Sequence, residues 1–152
     1  MALAGCTSSG EPGAGSATAS PAAPSDPATA ATPTPTATEP ALPALDPQGD
    51  AAANLPFFSS IVAAVWATPQ NASGRVYIDA LVAAGFDKGA MQVTQDQSTV
   101  GDTAESIQFS VAWKGDCLVG QVGPATGQPV AIVLPVLADG SCLVGETRAI
   151  DW

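Results

Sequence analysis

The sequence predicts an α+β domain in which two N-terminal helices pack on one face of a four- to five-stranded, mainly antiparallel sheet. Three observations predict it. Apolar residues first recur at helical spacing, then switch to strict alternation, and short turn-forming stretches separate the alternating segments. Helix signals come first and strand signals after, which is the order of α+β rather than of interleaved α/β units.

The first helix is expected over 51–66. Phe58, Ile61, Val62, Val65 and Trp66 fall on one helical face there. Asp50 or Asn54 serves as cap, Pro56 suits a first turn after Asn54, and Thr68-Pro69 stops the helix. The second helix is expected over 74–84, with Ser73 as N-cap, Gly85 as a left-handed C-cap and apolar Phe86 beyond it. Val76, Tyr77, Ile78, Leu81 and Val82 cover more than one face, which predicts a well-buried helix.

The period then becomes two. Positions 91–95 alternate, and 107–113 is the clearest strand. Ile107, Phe109, Val111 and Trp113 form its apolar face, and Gln108, Ser110, Ala112 and Lys114 its polar one. That contrast predicts an antiparallel sheet covered on one side. Lys114-Gly115-Asp116 reads as a turn, 117–122 as a further strand and 123–129 as a loop, and Gly120, Gly123 and Gly127 read as loop punctuation. Positions 130–137 are apolar and β-prone, but Pro135 restricts them to an edge or a break. Ala138-Asp139-Gly140 is another turn, and 141–147 is expected to be a last strand.

This domain, 51–152, follows a segment of different composition. From 7 to 50 the large apolar residues are Leu42 and Leu45, and the remainder is dominated by Ala, Thr, Ser, Gly and Pro with no Lys or Arg. Such a stretch buries too little apolar surface to offset its ordering entropy. Thr32-Pro33-Thr34-Pro35-Thr36 favours extended polyproline II. The segment reads as a tether: a plain spacer, a recognition segment, or a stalk glycosylated on Thr and Ser.

Residues 1–6 end in Leu3-Ala4-Gly5-Cys6, the pattern of a bacterial lipobox. The small residues suit the narrow groove of a signal peptidase, and the Cys6 thiol would accept the lipid. A tether directly after Cys6 strengthens the reading. Only Met1 to Gly5 precede Cys6, so a charged and apolar leader is expected upstream of this truncated signal. The alternative is an incidental cysteine in an unprocessed tail.

Cys117 and Cys142 begin two copies of Cys-Leu-Val-Gly, each after a turn and at the expected start of a strand. In an exported domain without histidine, a Cys117–Cys142 disulfide is the preferred reading over a metal pair. Two reduced thiols on neighbouring strands are the rival. No C-x-x-C pair is present to support redox catalysis.

The balance of charge narrows the function. Four Lys and Arg stand against fourteen Asp and Glu, a net charge of −10, with no histidine. Histidine-based triads and H-E-x-x-H zinc sites are therefore absent. The shortage of cations argues against nucleic acid and against purely electrostatic docking on anionic lipid. No G-x-S-x-G, S-x-x-K, P-loop or dinucleotide motif occurs. Asp96, Asp102 and Glu105 cluster without the order of a calcium loop and read as a solvated hairpin loop. Trp66 and Trp113 lie on apolar faces and read as core rather than as a sugar platform, while Tyr77 and Trp152 are undetermined. Asp151 and Arg148 flank Trp152 and are placed to pair on the surface.

Leu81-Val82-Ala83-Ala84-Gly85-Phe86, Met91-Gln92-Val93-Thr94, Ser106-Ile107-Gln108-Phe109, the two Cys-Leu-Val-Gly strings and the ending Arg148-Ala149-Ile150-Asp151-Trp152 carry a family resemblance. Over roughly 52–152 the chain resembles lipoproteins of high-GC actinobacteria that carry a small C-terminal domain of unknown function. The resemblance implies no activity, ligand or site residue. The expectation is a non-enzymatic module without cofactor or metal, anchored to the membrane through Cys6 on the extracellular face, with a binding or envelope role and a protein or small-molecule partner. Two alternatives stand beside it. A carboxylate-dependent hydrolase would need a cleft lined by at least two of Asp87, Asp96, Asp102, Glu105, Asp139 and Glu146. A small-ligand accessory protein would need an apolar pocket between helices and sheet.

Overall fold

The computed structural model describes residues 42–152. Cys6 and the tether up to residue 41 lie outside the described residues. Helix α1 runs Ala51–Trp66 and α2 runs Gly74–Ala83. A short 3-10 turn at Lys88–Ala90 leads into strands β1 (Met91–Val93), β2 (Ile107–Trp113), β3 (Asp116–Val122) and β4 (Val130–Pro135). All neighbouring strands are antiparallel, and their order in the sheet is their order in the chain. The class is α+β, as expected.

Asp50 caps α1, its Oδ1 accepting from the Ala53 N–H at 2.8 Å. Asn54 has a different task. Fully buried, it accepts from Asp46 N and donates to the carbonyls of Asp46 and Asp50, so its amide clamps the incoming chain against the helix. Because α1 begins at Ala51, Pro56 lies inside the helix rather than in its first turn. Its ring deprives the Ala52 carbonyl of a helical donor. Residues 46–50, on the tether side of the compositional break, also reach the sheet: Trp113 Nε1 donates to Gly49 O at 3.0 Å.

Ser73 stands at the N-cap of α2 but makes no capping hydrogen bond. Asp96 does so from the loop after β1, its Oδ1 accepting from Gly74 N at 2.8 Å. At the other end Gly85 takes φ +100°, and Phe86 N reaches back to Leu81 O, a left-handed stop closed by an apolar residue.

The helices cover one face of the sheet. Phe58, Val62, Tyr77, Ile78 and Leu81 meet Val93, Ile107, Phe109, Val111, Leu118 and Val122 in one buried cluster. Tyr77 stacks on Phe109 with ring centroids 4.6 Å apart, and its hydroxyl donates to Asn71 O. Trp66 and Trp113 are half-buried against this cluster. Gly120 sits opposite Phe109 in the ladder, and any side chain there would run into the Phe109 ring. It is therefore a packing requirement in mid-strand and not loop punctuation. Lys114 and Gly115 both take positive φ, as a two-residue hairpin between β2 and β3 demands.

Two expectations fail together on the opposite face. Residues 141–147 form no strand, and Cys142 lies on an irregular arm. That arm crosses the face expected to be open to water. Ser110 is fully buried there, beside a second small cluster of Cys117, Val119, Cys142 and Leu143.

Candidate functional site

Cross-strand register determines which residues share the second face. Gln92, Ser110, Val119 and Ile132 form one row across the sheet, and Ala112, Cys117 and Leu134 the next. Cys117 lies on the inner strand β3, one residue in from its hairpin end, and is bonded to Cys142, with Cα atoms 5.7 Å apart. Gln92 secures the same point. Its Oε1 accepts from Cys142 N at 2.6 Å and from Leu143 N at 3.2 Å, giving partners to two backbone groups that have no ladder to join. The Gln92 contact escapes sequence reading, since 50 residues separate the partners.

Two grooves flank the arm. One, of about 200 Å³, is lined by Met91, Gln92, Ala112, Gly140 and Cys142 among others. The second, of about 210 Å³, runs between the arm residues Leu143 and Val144 and the β4 residues Ile132 and Leu134. Neither groove has an ionisable side chain in its lining; Cys142, which lines both, is bridged to Cys117. Both lie on the arm side of the sheet, not between helices and sheet.

None of the six candidate carboxylates lines either groove. Asp87 accepts from Gly89 N in the 3-10 turn. Asp96 holds Gly74 N and receives Arg148 Nη2 at 2.9 Å. Arg148 thus pairs with Asp96 and not with its neighbour Asp151. Asp139 accepts from the backbone and hydroxyl of Ser141, which holds its carboxyl below the usual range. Asp102, Glu105 and Glu146 are exposed. Among the described residues no three potential metal ligands of the His, Cys, Asp or Glu type come together.

Trp152 gathers three of the four cations of the chain. Arg75, Arg148 and Lys88 lie 5.2, 5.3 and 5.6 Å from its ring centre, and its Nε1 donates to Asp79 Oδ1 at 2.9 Å. Asp79 and Asp96 pair with Arg75 and Arg148 in turn, so the cluster is nearly neutral. It fastens the last residues to α2 by cation–π contact and presents no concentrated positive charge.

Among the described residues, no helix is long and apolar enough to cross a membrane. Comparison with curated proteins and with solved structures finds no match. A family model for a domain of unknown function, DUF6993, matches residues 62–146, more than half of the chain and the part that holds the sheet and both bridged cysteines. The chain belongs to that family.

Proposed function

We propose that this protein is a lipid-anchored module of the extracellular face of the cell membrane, held by Cys6 and acting by binding or by supporting the envelope rather than by catalysis. The Cys117–Cys142 bond is the observation that carries the reading, because disulfides persist in oxidising compartments and are rare in the cytosol. Leu3-Ala4-Gly5-Cys6 and the Pro/Thr-rich segment behind it supply the anchor and the spacer. The resemblance to actinobacterial lipoproteins points the same way. The two grooves without ionisable lining favour a binding role over carboxylate chemistry.

The test is fractionation of the full-length gene product with whatever leader precedes this stretch. Membrane recovery that is lost on Cys6→Ser is expected. Cytosolic recovery, or membrane association that survives Cys6→Ser, would sink the proposal.

A further inference from the structure

The outer strand β4 carries an unusual combination of features. Among the described residues nothing pairs with its far edge, whereas at the opposite edge Arg148 N donates to Val93 O of β1. Just past β4, Val136 N donates to Gly115 O on the β3 side. Alternation along the strand then turns the N–H groups of Val130, Ile132 and Leu134 toward β3, and those of Ala131 and Val133 outward. The side chains of Val130, Ile132 and Leu134 form one row on the arm side of the sheet, 40, 42 and 41% exposed. Protected edges usually carry lysine or another charge, yet no charged residue occurs between Asp116 and Asp139.

The strand is also nearly symmetric about Ile132. Ala131 and Val133 flank it, then Val130 and Leu134, then Pro129 and Pro135. We propose that two copies of this chain associate through β4, antiparallel about Ile132, into one continuous sheet. In that register Ala131 of one copy faces Val133 of the other, and each such pair exchanges both backbone hydrogen bonds. Pro129 faces Pro135, so the two positions that cannot donate oppose each other and no donor is missed. Ile132 meets Ile132 on the axis and Val130 meets Leu134, so the exposed row continues from one copy to the next. A chain of net charge −10 repels its own copies over most of its surface; here it offers a strip with no like charges to oppose. Self-complementarity of this kind singles out a second copy over an unrelated peptide, whose sequence would not have to match the spacing of the two prolines.

One short strand and one apolar row fall below the roughly 1,000 Å² expected of a stable interface, so the dimer is weak and concentration-dependent. Sedimentation of the full chain from about 10 μM to 1 mM tests this range. The average mass should climb toward twice the monomer's, Ile132→Lys should hold it at the monomer, and Val82→Lys, at an exposed apolar site on α2, should leave it unchanged. Amide exchange in the unmutated chain is a readout that needs no variant: Ala131 and Val133 should slow as concentration rises. A monomer at every concentration, or a dimer indifferent to Ile132→Lys, would overturn the proposal. So would protection of Ala131 and Val133 already complete at the lowest concentration, because the edge would then be covered by the chain's own remaining residues.

Discussion

The two faces of the sheet are covered by different physical means. On the helix side, two amphipathic helices lay Phe58, Tyr77, Ile78 and Leu81 over Phe109 and its neighbours, and broad apolar burial with stacked rings holds the layers together. On the arm side, one irregular segment brings only Cys142 and Leu143 onto Cys117 and Val119. So little apolar area contributes little on its own, and a covalent bond with the Gln92 clamp makes up the difference. Burial stabilises in proportion to area. A cross-link stabilises by restricting the unfolded chain and does not depend on area.

The comparison is broken most directly at Phe109. Phe109→Ala empties the centre of the helix-side cluster and should lower the unfolding free energy by about 3–5 kcal/mol, measured by urea denaturation with the disulfide intact. A loss below about 1 kcal/mol would show that this ring does not hold the helix layer. Reduction of Cys117–Cys142, or the paired Cys117→Ala and Cys142→Ala exchange, should cost about 3 kcal/mol in the chain-entropy model. Amide exchange should rise in the arm at residues 140–147 while β2 and β3 stay protected. If the whole sheet opened together with the arm, the two faces would not be independent.

Alkali offers the smallest and most selective probe. Burial pushes the Tyr77 phenol up to about 12 from its ordinary value of 10. The fold therefore favours the neutral phenol. Its contribution is complete below about pH 10 and is lost as pH rises through about 12. Melting temperature should fall over that window, and Tyr77→Phe should flatten the fall. An unchanged alkaline limb in Tyr77→Phe would place the titrating group elsewhere. Alkali thus loosens the helix side and reductant the arm side, two perturbations that should add if the faces act separately.

Much of the helix side was legible from residues close together in the chain. The bounds of α1 follow from one apolar stripe and Asp50, and β2 with its hairpin follows from alternation ending at Lys114-Gly115. Pairing of Cys117 with Cys142 was legible too, because exclusion of other cysteine chemistry left few partners. The arm differs: residues 141–147 carry a strand pattern and form no strand. Its Cys-Leu-Val-Gly pattern is β-prone, but bonding to a cysteine on an inner strand draws the backbone over the sheet and away from either edge, where a ladder could form. Ser73 does hold the N-cap position of α2, but the hydrogen bond expected of it is made by Asp96, which arrives from 22 residues away, and local spacing holds no record of that.

Interactions within a few residues were thus settled by the sequence alone: helical and strand periods, the turn at Lys114-Gly115, the absence of histidine chemistry and the uncharged stretch from 117 to 138. Tertiary structure alone decided that a second face is covered, that Gly120 must remain bare under Phe109, and that Trp152 is held among three cations. Each of those depends on surfaces meeting across long separations in the chain, and such meetings are chosen by the packing of the whole fold rather than by local preference.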